Sequence, residues 1–404
     1  MTLKYAAALA VLACLALCES LPAAAATPPA WQPVAKIAGI MDLGGPRADG
    51  WLVAAGSARL YLLDPLGAVT PFAQGPDGYA DDKGGEAYIT VVPKLPAAAT
   101  SSAAGCSFQP GDVYILRLHA PLGLTKVDIH GVKSSFANIP NVSALGGITF
   151  DAVGTFGYRI VVTGAAGAGK TEVAAIDCAG AVSVITRTAP VVEGGIEVAP
   201  KTFGAFGGML IAPDELSGNI FAIGADGASK QVAASGLPKG GDIGVEGVAF
   251  VPAGWHGSVF YADRITAGNP HPGTDSVLAL TADTLKTAGV QEGDLLSVTE
   301  GGATLIDVRC AATCAVTKLI TTATKAHGEG HLIFTGTAAA TPSPSPSAKA
   351  TPAASGSGAG GADLFVVGVV IVALVVLVVA AVLVLLDLRG RSQRPGPGAP
   401  PANG

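Results

Sequence analysis

Eight residues, Gly164-Ala-Ala-Gly-Ala-Gly169-Lys170-Thr171, match the spacing with which backbone N–H groups, a lysine and a hydroxyl cradle nucleotide phosphates. Such a loop must feed a helix whose N-terminus faces the phosphates. Here Thr171 opens only "TEVAAI" before Asp177-Cys178-Ala179-Gly180 turns the chain, which is strand length, and no second acidic strand offers itself for Mg²⁺. The match at 164–171 is therefore read as false, and no nucleotide is expected. Other reactive arrangements are sparse. No Ser/His/Asp order and no nucleophile elbow is visible, so no catalytic residue is assigned. Cys310-x-x-x-Cys314 lacks a second pair at zinc-binding spacing. Trp255-His256 reads as blade packing, and Asn141-Val142-Ser143 is a glycosylation acceptor only where the host has that machinery.

The compartment bounds what the remaining residues can do. Lys4 followed by the apolar run Ala6–Cys18 and the small residues Ala23–Ala26 reads as a signal peptide, residues 1–26. The alternative, an uncleaved anchor, needs a longer apolar run. Leu364–Leu386 carries no charge and is long enough for one transmembrane helix. Arg389, Arg391 and Arg394 follow it against Asp387, which places the C-terminus in the cytoplasm by the positive-inside rule. The expected order is a type I single-pass protein. An outward body at 31–336 is followed by a Pro/Ser/Gly-rich stalk at 337–363, the span at 364–386 and a short tail at 387–404. A net charge of −6 leaves no basic footprint for nucleic acid. Outside the cell disulfides are the default: Cys310 and Cys314 flank a hairpin turn and can pair locally, which leaves Cys106 and Cys178 for each other. The Ala- and Gly-rich composition fits a bacterial cell surface.

The body must position its chemistry with strands. Six stretches read as strand–turn–strand: 57–73, 111–129, 170–185, 218–234, 275–290 and 303–320. Another apolar run precedes each one: Trp51–Ala55, Tyr88–Val92, Tyr158–Thr163, Gly208–Ala212, Val259–Ala262 and Leu295–Thr299. A third signature, Glu or Gly, then a small residue and an apolar pair, starts at Glu86, Gly146, Gly194, Glu246 and Glu329, with a doubtful copy at Glu292. Units of about 40 to 60 residues with three or four strands point to an all-β fold, a six-bladed β-propeller. The strand at Glu329 has no hairpin after it and the hairpin at 57 no such strand before it, so joining them closes the ring. Five or seven blades, or an array of β-sandwiches, remain the alternatives. Small residues suit the start of an inner strand, where backbones crowd a narrow axis.

The segment "GVEGVAFVPAGWHGSVFYADRITAGN" (244–269) resembles the repeat of six-bladed propellers in the NHL, gluconolactonase/senescence-marker and strictosidine-synthase-like group, through Glu246-Gly247-x-x-Phe250 and Gly257-x-x-x-Tyr261-x-Asp263. The likeness implies architecture over residues 34 to 336; one propeller fold hosts many functions. It also implies that loops entering inner strands and loops between second and third strands share one face around the channel mouth, where hydrolases of the group hold a divalent cation with carboxylate and Asn side chains. By blade alignment the metal candidates here are Glu86, Glu246, Glu329, His327, His331 and Asp263. Asp214, Glu300, Lys170 and Arg264 fall on the rim. No Asn matches the group's metal-binding positions. Carboxylates gathered on one axis repel unless a cation or protons compensate. Oxygen ligands favour Ca²⁺, and added imidazoles tilt the choice toward Zn²⁺. The rival account is structural: each Glu caps a neighbouring blade, Asp263 holds a turn and the histidines are inert. Long loops at 93–111 and 264–274 belong to the same face, where recognition usually sits. The leading expectation is an extracellular binding module for a glycan, polymer or protein ligand. The alternatives are a metal-dependent lactonase or esterase-like hydrolase, and a structural envelope protein.

Overall fold

The computed structural model describes residues 28–57, 59–73, 85–95 and 105–336. The proposed leader, stalk, span and tail lie outside them, as does the whole of a second unit, Pro342–Gly404. Among the described residues no helix is long and apolar enough to cross a membrane.

Among the described residues, Val-, Ile- and Leu-rich runs broken by Gly, Asp and Pro form 24 strands. They pair into six four-stranded antiparallel sheets. Blade one holds β2 (Asp42–Gly44), β3 (Leu52–Gly56), β4 (Arg59–Leu63) and β5 (Val69–Ala73). Blade two holds β6 (Ile89–Val91), β7 (Val113–Arg117), β8 (Gly123–Val127) and β9 (Lys133–Asn138). Blade three holds β10 (Leu145–Phe150), β11 (Ile160–Gly167), β12 (Lys170–Ile176) and β13 (Val182–Ala189). Blade four holds β14 (Glu197–Val198), β15 (Leu210–Asp214), β16 (Asn219–Ile223) and β17 (Ser229–Ala234). The inner strands β2, β6, β10 and β14 follow one another around the axis, and β18 and β24 of the last two blades complete the ring.

Those last two blades are interlaced. Blade five is β18 (Val245–Phe250), β21 (Leu295–Thr299), β22 (Leu305–Cys310) and β23 (Cys314–Ile320). Blade six runs outward from β24 (Gly328–Phe334) through β19 (Ser258–Asp263) and β20 (Ser276–Thr281) to the N-terminal β1 (Gln32–Lys36). The chain leaves blade five after its inner strand, lays two strands into blade six, returns to finish blade five, and then adds β24 on the axis as the last described strand. This corrects three sequence expectations. Glu246–Phe250 and Tyr261–Asp263, taken as one blade, lie in neighbours. The stretch 275–290 is β20 followed by the short helix α1 (Ala282–Thr287), with Thr281 accepting from the Thr284 N–H at its start. The strand at Glu329 joins the segment 258–281 and not the hairpin at 57, which has its own inner strand, β2. Closure does use both chain ends, but in blade six.

Central strands are buried on both faces, which is why they read as apolar runs without alternation. The core is correspondingly divided into six wedges, one between each pair of adjacent sheets. A repeated turn stitches the sheets together. Asp64, Asp128 and Asp177 each accept two backbone N–H groups through Oδ1, at 2.8–2.9 Å. The glycine three residues on, Gly67, Gly131 or Gly180, lies at φ 82–94° and packs against the carbonyl of the preceding blade's outer strand, where a Cβ would come within 2.6–2.8 Å. Two disulfides add to this. Cys106–Cys178 links the segment before β7 to the turn after β12 across 72 residues, worth about 4 kcal/mol on a loop-entropy account. Cys310–Cys314 clamps the β22–β23 turn.

Candidate functional site at the acidic mouth

The inner strands all start at the same end of the ring, and acids lie at or near several of these starts and at the ends of neighbouring second strands. Glu246 and Glu329 lie on β18 and β24, Glu86 precedes β6, and Glu193 precedes β14. Glu300 follows β21, and Glu215 follows β15. Glycines let these strands meet on the axis. A Cβ on Gly195 or Gly247 would lie 2.4 or 2.6 Å from the Gly330 carbonyl oxygen. Two side chains then span the ring between opposite blades. The Tyr88 hydroxyl of blade two donates to Glu246 Oε1 of blade five at 2.7 Å, and lies 3.3 Å from both Glu86 and Glu329. His331 of blade six reaches the Ile148 carbonyl of blade three at 2.8 Å. The axis is therefore obstructed, and the acidic residues form a bowl at one mouth.

One hydrogen-bonded chain connects the bowl. Glu215 stands within hydrogen-bonding reach of both Glu193 and Glu300, which favours its protonated form. Glu300 Oε1 accepts from His327 Nε2 at 2.9 Å, and Glu329 Oε1 lies 3.4 Å from the same nitrogen. Arg264 reaches Glu329 at 3.1 Å and Glu86 at 3.6 Å. Burial, and then the neighbouring carboxylates, push Glu86 up to about 7 and Glu215 up to about 9. Burial raises Glu193, Glu246 and Glu329 as well, the last against its hydrogen bond from His327. Burial opposes an imidazolium at His327, but its hydrogen bonds to Glu300 and Glu329 outweigh that and raise it to about 9. Among the described residues, Arg264 and His327 are the cationic groups bonded to these acids, and burial beside like charges favours the protonated forms of Glu86 and Glu215.

Glu300, His327 and Glu329 are all buried and each offers a donor atom, the three lying within 4.8 Å of one another. His327 Nδ1 is buried without a partner among the described residues. This N,O,O set fits a divalent cation, which would displace the Nε2 proton and draw down the raised carboxyls. When bound, such an ion supplies a Lewis acid to any oxygen ligand entering the bowl. Glu86, half exposed, and Arg264 stand at its edge.

The other expected site residues are placed elsewhere. His331 points down the axis, its Nδ1 3.0 Å from both Asp42 oxygens and its Nε2 on the Ile148 carbonyl; two acceptors require two N–H groups, so the ring is an imidazolium with no free lone pair. Asp263 accepts the His327 N–H at 2.9 Å and the Thr274 hydroxyl at 2.6 Å, which sets the loop that carries His327. Asp214 accepts from Ser217 and the Leu216 N–H in a local turn. Lys170 is exposed, paired with Gly167 across the two-residue turn Ala168–Gly169, whose φ values of 51° and 66° are those of a tight hairpin. Thr171 continues into β12, and no helix follows. The sequence reading missed Tyr88, Glu193 and Glu215. Glu193 stands one residue ahead of the Gly-Gly copy of the inner-strand signature, which was the available signal. Tyr88 reads as ordinary strand residue until its partner, 158 positions away, is known.

No family profile matches the sequence, and no curated protein does. Among solved structures, a virginiamycin B lyase from Staphylococcus aureus overlaps 74% of this chain and 92% of its own, at 13% identity and a TM-score of 0.40. A nidogen/laminin complex overlaps 72% and 84%, at 10% and 0.43. A calcium-binding regucalcin from Agrobacterium tumefaciens overlaps 60% and 74%, at 14% and 0.36. Likenesses at this level carry nothing about activity. By its own strand pairing, the described body is a six-bladed β-propeller.

Proposed function

We propose that this propeller is a binding module whose acidic mouth takes up a divalent cation on Glu300, His327 and Glu329, and through that ion engages an oxygen-rich extracellular ligand such as a glycan or an acidic protein segment. The observation that carries the reading is the convergence of six glutamates on one mouth where, among the described residues, Arg264 and His327 are the cationic groups bonded to them. An ion there removes the repulsion that protons otherwise relieve. Ca²⁺ suits the surplus of carboxylates, while the imidazole in the set favours Zn²⁺. The body is read as secreted and tethered by 364–386, and the two disulfides agree with an oxidising compartment. A hydrolase reading draws on the same mouth: Glu86, half exposed and raised to about 7, is suited to general-base work beside a Lewis acid.

The test is calorimetry of the full-length protein with Ca²⁺ and with Zn²⁺, beside Glu300→Gln. Binding of either ion, weakened about tenfold or more by Glu300→Gln, is expected from loss of a charged ligand. Absence of binding by both ions sinks the reading and leaves a structural role. Turnover of simple lactones by the loaded protein, lost in Glu86→Gln, would favour the hydrolase.

A further inference from the structure

The far end of the axis is chemically unlike the mouth. Where the inner strands end, Val91, Pro93, Phe150, Phe250, Pro252 and Phe334 wall an open cavity of about 220 Å³. A second hollow adjoins it, sharing Phe150, Glu197, Phe250 and Pro252. Glu197 is the one acidic side chain that lines both. It extends from the two-residue strand β14, and its Oε2 accepts the Phe250 N–H at 2.7 Å. Among the described residues that is the side chain's single hydrogen bond. The His331 ring also lines the first cavity, but both its nitrogens are committed, and its charge is matched by Asp42 at 3.0 Å. Glu197 is therefore a part-buried carboxylate in a mostly apolar pocket, with no cation bonded to it among the described residues.

From this arrangement we infer a second binding site, at the end of the propeller opposite the acidic mouth, for a small organic ammonium: an apolar body lying among the phenylalanines and prolines, with one cationic N–H group on Glu197. The first cavity, about 220 Å³, takes a single ring or a short alkyl chain beside Glu197, and the adjoining hollow, about 530 Å³, leaves room for a longer apolar body. Buried charge without a partner is costly, and a ligand ammonium supplies the missing one. Burial holds Glu197 up to about 7, against the Phe250 N–H bond and the more distant His331 charge. An inorganic ion fits less well, since Glu197 is the one carboxylate lining a cavity walled mostly by apolar side chains. The acidic mouth offers the reverse.

The probe is benzylammonium, titrated calorimetrically into the full-length protein, with benzyl alcohol as its neutral counterpart. Benzylammonium is expected to bind, and benzyl alcohol about tenfold or more weakly, because a charge-assisted hydrogen bond is lost. Glu197→Gln is expected to erase that preference while keeping the fold, since the amide oxygen still accepts the Phe250 N–H. Ala152→Trp, at an exposed position lining both hollows, is expected to block binding sterically. Glu300→Gln leaves it unchanged. Equal affinity for the two probes, full binding in Glu197→Gln, or no binding at millimolar ligand overturns the inference. So does loss of binding in Glu300→Gln alone, which would place the amine in the mouth.

Discussion

Glu86, Glu215 and His327 of the mouth hold their protons more tightly in the folded chain than in the unfolded one. Glu86 moves from 4.5 to about 7, Glu215 from 4.5 to about 9, and His327 from 6.5 to about 9. A raised value means stability that is complete below the unfolded pKa and drains away as pH climbs through the folded one. Glu86 is half exposed, so solvent screens much of its share. The melting temperature measured in EDTA should therefore fall between about pH 5 and about pH 9, over the window these shifts span. Glu246→Gln removes one repelling charge yet still accepts from Tyr88, so its decline should be shallower. A melting temperature that is flat or rises across that window in chelator would contradict the raised proton affinities of the bowl.

At the scale of the strand, glycine is what brings six inner strands to one axis. Gly330 lies at φ 65°, and a Cβ there would meet Asp42 Oδ1 at 2.2 Å. Asp42 cannot withdraw freely, because it also accepts the Leu43, Ile89 and His331 N–H groups at 2.7–2.8 Å. Gly330→Ala should destabilise the protein by about 2–5 kcal/mol, combining left-handed strain with overpacking. Gly268, at φ 88° with nothing within 4 Å of its Cβ position, isolates the strain alone. Gly268→Ala should lose only about 1–2 kcal/mol. Denaturant unfolding of both variants measures the difference, and equal losses would show that crowding at the axis contributes nothing.

For the whole molecule, the ring is held shut in blade six, by β24 on the axis and β1 at the rim. β1 is mostly exposed, so its hold comes from its ladder with β20 and from Trp31, whose Nε1 donates to the Ala303 carbonyl at 2.9 Å. The Lys36 Nζ bond to the Thr274 carbonyl and the packing of Gly67 on Val34 tie it to the loop after β19 and to blade one. Removing residues 28–36 leaves β20 as an unpaired edge. Amide exchange should then speed up in Ser276–Thr281 with little change in β15 of blade four. Unchanged protection in β20 would mean that the ring closes without its outer strand.

Much of this was legible along the chain. Five of the six hairpins, the Asp-x-x-Gly turns, the Glu-Gly starts of inner strands, the cysteine pairing and the strand-length segment after Lys170 are all local. Each follows from turn chemistry or from the period of a strand. Four of the mouth's acids, Glu86, Glu246, Glu300 and Glu329, are visible as repeated positions for the same reason. Which blade a strand enters is not local. β19 and β21 are both apolar runs of strand length, and either can pair beside β18 or β24, so the interlacing of blades five and six is decided by packing around a closed ring. The spokes across the axis, Tyr88 to Glu246 and His331 to Ile148, join residues 158 and 183 positions apart. The amino-acid sequence by itself determined a propeller with acids near its axis. Tertiary structure alone decided which acids meet, that His331 is spent on Asp42, and that Glu197 faces the other end, because side-chain partners on opposite blades are set only once the ring has closed.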